Sequence, residues 1–431
     1  MSLFSLPQAP APLGDISKWS YQRIESSSGF NSANPAGTSH LFRVQPSGLR
    51  WWVPSRSYFR VRTVIQDNTA AKPADAGPVM GFCANFINTM EVRIGGTVVS
   101  QVNTNLAQVD AIHTRTTKSG EWLQSAGEAL NRWSSSRPND DDFKSDTYEF
   151  CWTPPLGFFQ IPHALPGMQV DINLVINPNF QRDCVEAYLG GTVIANDVTV
   201  TITDFSFHCA MIEGIRADDE KFALNLNEWQ AQILPLQTTL SSQLSQFDVN
   251  PMTNMLAVAL QDQRQNTSLN ARSRFEVYSD NYSLAYQGIN ALTQIQLEYD
   301  GVYYPDRFSD PRVTVDAEGA DLKRQDIQQY LEQSLASGQL FTSAGPENTK
   351  EWTDRGRFFL FQTPRDGTST ATRVLTHTTL GNTVKTSSTV PTLITLPNAA
   401  VILFSRAPKA FLVRTADSRV VQVEGSLLAT R

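Results

Sequence analysis

Residues 90–101 read Met90-Glu-Val-Arg-Ile-Gly-Gly-Thr-Val-Val-Ser-Gln101, and residues 295–306 read Ile295-Gln-Leu-Glu-Tyr-Asp-Gly-Val-Tyr-Tyr-Pro-Asp306. In both, apolar residues alternate into a glycine turn and out again, the period-2 pattern of a β-hairpin. Val92 matches Leu297, Ile94 matches Tyr299 and Gly96 matches Gly301, at a constant offset of 205. Further along, Tyr148-Glu-Phe-Cys-Trp-Thr-Pro154 matches Phe358-Phe-Leu-Phe-Gln-Thr-Pro364 at an offset of 210. Segments in the same order at nearly constant spacing predict two copies of one β-domain, and such self-similarity constrains the architecture before any single residue does.

Length agrees with that reading, since 431 residues suit two domains of about 200 residues, each able to bury a core. Hydrophobic residues make up 41% and charged residues 18%, so Ser, Thr, Asn and Gln cover much of the surface, a composition suited to burial against other subunits. The net charge of -7 argues against a free-standing nucleic-acid binder, whose footprint is normally basic.

Residues 1–40, rich in Pro, Ser, Ala and Asn, are expected to form an extended or partly disordered arm. Its charged residues, Asp15, Lys18, Arg23 and Glu25, sum to zero, so the arm lacks the means to neutralise a polyanion by counterion release. A first β-domain is expected over 41–215, a charged linker over 216–221, a second β-domain over 222–425 and a tail over 426–431. Within the first, Phe59 and Val61 alternate with Arg60 and Arg62. Val170, Ile172, Leu174 and Ile176 alternate with polar residues. Val200 and Ile202 are followed out of phase by Phe205 and Phe207, which predicts a bulge near Asp204. Helices are expected over 322–337, closed by Gly338, and over 121–133.

The chemistry-bearing residues form no local constellation. There is no phosphate-binding glycine loop with a following Lys, no H-E-x-x-H and no paired Cys and His set, so catalytic, cofactor-binding and metal residues are all expected to be absent. The histidines, His40, His113, His163, His208 and His377, are far apart in sequence. His208 and Cys209 are adjacent on a strand and so point to opposite faces, which rules against a base and nucleophile pair. Asp140-Asp141-Asp142 reads as a solvated loop tip rather than a calcium loop. Cys83, Cys151, Cys184 and Cys209 show no C-x-x-C spacing and read as small buried hydrophobes in a reducing compartment. Asn266 and Asn281 head acceptor patterns for glycosylation, but no secretory leader accompanies them and both read as chance matches. No run of 18 apolar residues occurs, so a soluble chain is expected. The aromatic and basic cluster from Arg50 through Trp51, Trp52 and Arg56 to Tyr58, Phe59, Arg60 and Arg62 is the one candidate nucleic-acid surface. A Trp pair at the mouth of a strand fits a core or subunit contact better.

The layout resembles the double jelly-roll major capsid proteins of the tectivirus and adenovirus-like lineage. The resemblance rests on Pro155-Leu-Gly-Phe-Phe-Gln-Ile-Pro162 and Leu165-Pro-Gly-Met-Gln-Val-Asp-Ile-Asn-Leu174, similar to the family's turn into a long strand late in the first roll, and on Ile295 to Pro305 in the second. It covers residues 41–425. It implies an all-β chain of two consecutive eight-stranded jelly-roll sandwiches with short helices in the connecting loops. The implied role is non-enzymatic, as the major capsid protein of a non-enveloped icosahedral virus. Homotrimers would form pseudo-hexameric capsomers that tile the shell of the virion and assemble inside the host cell. Implied partners are further copies of the chain, neighbouring capsomers, and penton or minor capsid proteins. Contact with the genome would be indirect or weak, and an internal membrane and a host receptor are further candidates. Two alternatives are a single jelly-roll capsid protein with a protruding β-domain and a glycan-binding β-sandwich. The latter would use Trp51, Trp52, Trp122 and Trp133 as sugar platforms.

Overall fold

The computed structural model describes residues 18–46, 50–67, 76–79, 81–118, 147–161, 163–187, 198–213, 221–236, 242–262, 292–309, 313–315, 322–324, 358–363, 371–380, 399–414 and 418–423. Among the described residues, sixteen strands form the four main sheets. The first eight are β1 (Lys18–Ile24), β2 (Ser39–Val44), β3 (Tyr58–Asp67), β4 (Ile87–Ile94), β5 (Thr97–Val102), β6 (Thr147–Trp152), β7 (Val170–Ile176) and β8 (Val198–Glu213). The second eight are β9 (Lys221–Pro235), β10 (Ser242–Asp248), β11 (Met255–Asp262), β12 (Leu292–Tyr299), β13 (Val302–Ser309), β14 (Phe358–Gln362), β15 (Arg373–Leu380) and β16 (Ala399–Arg414).

Strand order makes the duplication explicit. The first set forms sheets β1-β8-β3-β6 and β2-β7-β4-β5; the second forms β9-β16-β11-β14 and β10-β15-β12-β13. Adding eight to every strand of the first pair of sheets gives the second pair. Each pair is the Greek-key order of an eight-stranded jelly roll, so the chain is a double jelly roll. The hairpins β4–β5 and β12–β13 turn through two residues with positive φ, Gly95 (54°) and Gly96 (83°) in one, Asp300 (55°) and Gly301 (73°) in the other. These are the type I′ turns whose twist suits a tight hairpin, and they account for the glycine shared at offset 205.

In the first roll the two sheets meet through aromatic side chains. Phe42 on β2 packs edge-on against Phe59 of β3 and Phe205 of β8, with ring centroids 5.3 and 5.4 Å apart. On β7, Val170, Ile172, Leu174 and Ile176 are buried and alternate with half-buried residues, as the period-2 pattern predicts. The β8–β3 register shifts between Ile202 and Asp204. That extra residue lets Val200 and Ile202 before it, and Phe205 and Phe207 after it, all face the core. In the second roll, Phe247, Leu256, Leu297, Phe358, Val374 and Ile402 are among the buried residues.

The expected arm is extended but engaged from Lys18 onward, because β1 pairs along its whole length with β8, from Lys18 opposite Glu213 to Ile24 opposite Phe207. The helix expected over 322–337 begins incorrectly, since Leu322–Arg324 is a strand paired with Val313–Val315; its remainder, the counterpart over 121–133, Asp140–Asp142, Asn266 and Asn281 lie outside the described residues. A helix that the sequence reading missed, Leu106–Thr117, follows β5 directly. Among the described residues no helix is long and apolar enough to cross a membrane.

The chain divides into two compact units, Met1–His113 with Gln124–Gln230 and Ala407–Arg431, and Thr114–Leu123 with Ala231–Arg406. Successive strands of a roll alternate in direction, so connections leave its two ends in turn. In each roll the two-residue turn, β4–β5 in the first and β12–β13 in the second, lies at one end. The longest connections, 103–146 and 310–357, leave from the other end at equivalent points of the two rolls.

Candidate functional site

Sheet β1-β8-β3-β6 carries the arginine and aromatic residues singled out in the sequence, and the pleat sorts them between its two faces. Arg50–Trp52 is a short strand on β8, with Trp52 opposite Met211 and Trp51 opposite Ile212. Alternation sends the two tryptophans to opposite faces. Trp52 is fully buried in the roll against Phe158 and Phe207. Trp51 joins Val53, Ala164, Ala210 and Ile212 in a separate buried cluster. Neither is available as a base or sugar platform; Trp122 and Trp133 lie outside the described residues.

Ser57 organises this corner. A single turn at Pro54–Arg56 interrupts the run from the short strand into β3, leaving the Ala210 amide of β8 opposite a gap. The Ser57 hydroxyl fills it: Oγ accepts from Ala210 N–H (3.0 Å) and from Trp52 Nε1–H (2.8 Å) and donates to the Val53 carbonyl (2.9 Å).

The arginines do not make a basic surface. Arg60 holds Glu149 through two 2.8 Å bonds and lies 3.8 Å from Asp204; Arg62 reaches Glu149 at 2.9 Å. Arg23 binds Asp204 at 2.8 Å and Arg50 binds Glu213 at 2.7 Å. Arg60, with Arg62 beside it, holds the Glu149 carboxyl well below the usual range, at about 2. Each of these cations is matched by an anion on its own face, so little attraction is left for phosphates.

Aromatic surface remains at the edge of the sheet. Trp19 and Tyr21, on the edge strand β1, are 49% and 56% exposed. Tyr21 packs on Tyr58 (5.8 Å), and Tyr58 stacks flat on His208 (5.0 Å, 2°). Burial, reinforced by Arg60 and Arg23, keeps the His208 pKa low. Large exposed aromatics on a strand with a free edge are a contact-prone feature.

The possible reactive residues stay apart. His208 faces outward while Cys209 is buried on the core side, where burial raises its thiol pKa far above the ordinary value. All four cysteines are free thiols; Cys83, Cys184 and Cys209 are buried and Cys151 is half-buried. Among the described residues no three His, Cys, Asp or Glu side chains gather to hold a metal ion. His40 is buried and kept neutral by burial. Its Nε2 faces Thr38 Oγ1 (2.8 Å), which itself donates to the Pro35 carbonyl, so Nε2 carries the proton and Nδ1 accepts from Ser26 (3.0 Å). It borders a cavity of about 340 Å³ that Glu91 and Asn173 also line. These two are already bonded to one another at 3.0 Å, and Glu91 also pairs with Arg93 at 2.7 Å.

One residue that the sequence reading passed over is Glu228 on β9. Leu224 and Leu226 face inward, and the same alternation carries Glu228 inward behind them, 1% exposed. The sequence signal was present in that alternation.

No protein-family model and no curated protein matches this chain. Solved structures do. PBCV-1 VP54 fitted into a cryo-EM reconstruction of the virophage Sputnik is 11% identical, over 96% of this chain and 99% of that one, with a TM-score of 0.58. A quasi-atomic model of the PBCV-1 virus capsid is 10% identical over 96% and 99%, with a TM-score of 0.56. The major capsid protein of mavirus is 10% identical over 94% and 90%, with a TM-score of 0.53. At such identity the likeness is one of fold, and it extends through nearly the whole of each chain.

Proposed function

We propose that this chain is the major capsid protein of a non-enveloped icosahedral virus, a structural building block without enzymatic activity. The observation that carries the reading is the repeated strand order: two complete jelly rolls, β1–β8 and β9–β16, occupy one chain. Full-length similarity to capsid structures supports it. Two similar wedges per chain give a physical reason for the duplication, since a homotrimer then offers six wedges and tiles a position that six single-roll subunits would fill. Closed symmetric rings of this kind reuse the same contact at every subunit boundary. The exposed edge aromatics Trp19 and Tyr21 suit burial in such a contact. The balanced ion pairs of the outward face favour indirect contact with the genome. Further partners in this reading are neighbouring capsomers and penton or minor capsid proteins. The place of action is the virion shell, after assembly inside the host cell.

Size-exclusion chromatography with light scattering, followed by negative-stain imaging of the purified chain, tests the reading. Trimers and shell fragments are expected. A chain that stays monomeric at every concentration and salt condition overturns it.

A further inference from the structure

A carboxyl group with no bulk water and one empty oxygen lies inside the first unit. Glu228 on β9 is 1% exposed, and its Oε1 accepts a hydrogen bond from the Ser100 hydroxyl of β5, itself fully buried. Its Oε2 is buried without a hydrogen-bond partner. The third wall is the turn Gly157–Gln160. A Cβ on Gly157 would lie 2.7 Å from the Asn227 carbonyl oxygen and 3.0 Å from Glu228 Oε1, so turn and strand are pressed together with no room for a side chain. β5, the turn and β9 therefore converge on one carboxyl group.

The charged group that acts on it is Lys409 of β16. Ser100 on β5 and the Gly157 amide on the turn are neutral donors. Together they do not replace the hydration that an ionised carboxylate loses on burial.

We propose that Glu228 is a proton-operated latch: protonated, it seats the first half of β9 against β5 and the Gly157 turn, and ionised, it loosens that junction. Burial raises its pKa from 4.5 to about 7, although Ser100, Lys409 and Gly157 pull the other way. With the folded value above the unfolded one, the contribution to stability is fully present below about pH 4.5 and is lost as pH rises through about 7. The chain is firmer in mildly acidic than in neutral solution. The latch belongs to the single chain and does not depend on the shell-building role.

The test uses the full chain. Hydrogen exchange of peptides covering β5 and the first half of β9, corrected for intrinsic rates, is measured from about pH 6 to about pH 8.5, a range that spans the titration. Protection is expected to fall across that range in the wild type and to stay level in Glu228→Gln, which keeps the neutral shape. Equal slopes in the two proteins overturn the proposal. Infrared difference spectroscopy of the wild type covers the case in which the variant fails to fold. Loss of a protonated-carboxyl band centred near neutrality supports the latch, and the lack of any such band at about pH 6, where exposed carboxylates are ionised, overturns it.

Discussion

A Cβ placed on Gly95 would sit 2.0 Å from the carbonyl oxygen of Ser418. The tip of the β4–β5 hairpin thus meets Ser418, just before the closing strand Arg419–Val423 that pairs with β16, and the residue at that point has to be glycine for space as well as for its φ of 54°. Gly301, in the sister hairpin, has a positive φ but nothing within 4 Å. Gly301→Ala should therefore cost about 1–2 kcal/mol, the left-handed backbone penalty alone. Gly95→Ala should cost at least about twice that and expose Arg419–Val423 to proteolysis. Denaturant melts of both variants, with limited proteolysis, check the difference.

Ser57→Ala leaves the Trp52 indole N–H and the Ala210 amide without their acceptor in a fully buried corner. Two orphaned donors predict a loss of about 2–4 kcal/mol, large for the removal of one oxygen. Chemical denaturation followed by far-UV circular dichroism measures it.

Deleting Thr203 should be tolerated. The register shift between Ile202 and Asp204 is what lets both halves of β8 face the core. Without Thr203, Ile202 opposite Thr63 and Asp204 opposite Arg62 run in unbroken register, and Ile202, Phe205 and Phe207 alternate on the core face with no bulge. A soluble variant with a cooperative melt is expected, whereas inserting one residue between Phe205 and Ser206, which turns Phe207 outward and Ser206 and His208 inward, should abolish folding.

Acid should weaken the outward face. The folded pKa of Glu149 is lowered from 4.5 to about 2 by Arg60 and Arg62. Its contribution is present above about pH 4.5 and lost as pH falls through about 2. Because the carboxylate is 42% exposed, solvent screens the pairs, and Glu149→Gln should cost about 1 kcal/mol or less at neutral pH. The acid limb of the variant's stability profile should be shallower, and the gap between the two proteins should shrink in high salt.

Local chemistry was legible in the sequence and pairing was not. The alternation of Val170 to Ile176, the slip at Asp204 and the two glycine turns follow from period 2 and positive φ, which neighbouring residues encode. That β1 lies beside β8, with Lys18 opposite Glu213, joins residues too distant in sequence for any periodicity to reveal. The helix Leu106–Thr117 escaped because it is buried on most sides yet carries Gln108, Asp110 and His113 within it, blurring the apolar stripe. Asp110 is tolerated there by accepting from Trp152 Nε1 at 3.1 Å. The candidate surface was half legible: the cluster was visible, but only the pleat shows that Trp51 and Trp52 part company and that Arg23, Arg50, Arg60 and Arg62 each meet a carboxylate.

The unequal ends of each roll make the chain a natural display scaffold. A two-residue turn closes one pole, and the long connections 103–146 and 310–357 leave from the opposite pole. A foreign peptide grafted into either connection would leave its own roll at the end opposite the tight turn. Loop-closure entropy grows slowly with length, so such cargo adds little thermodynamic load. Length and composition at that end of a roll can thus change without touching its wall.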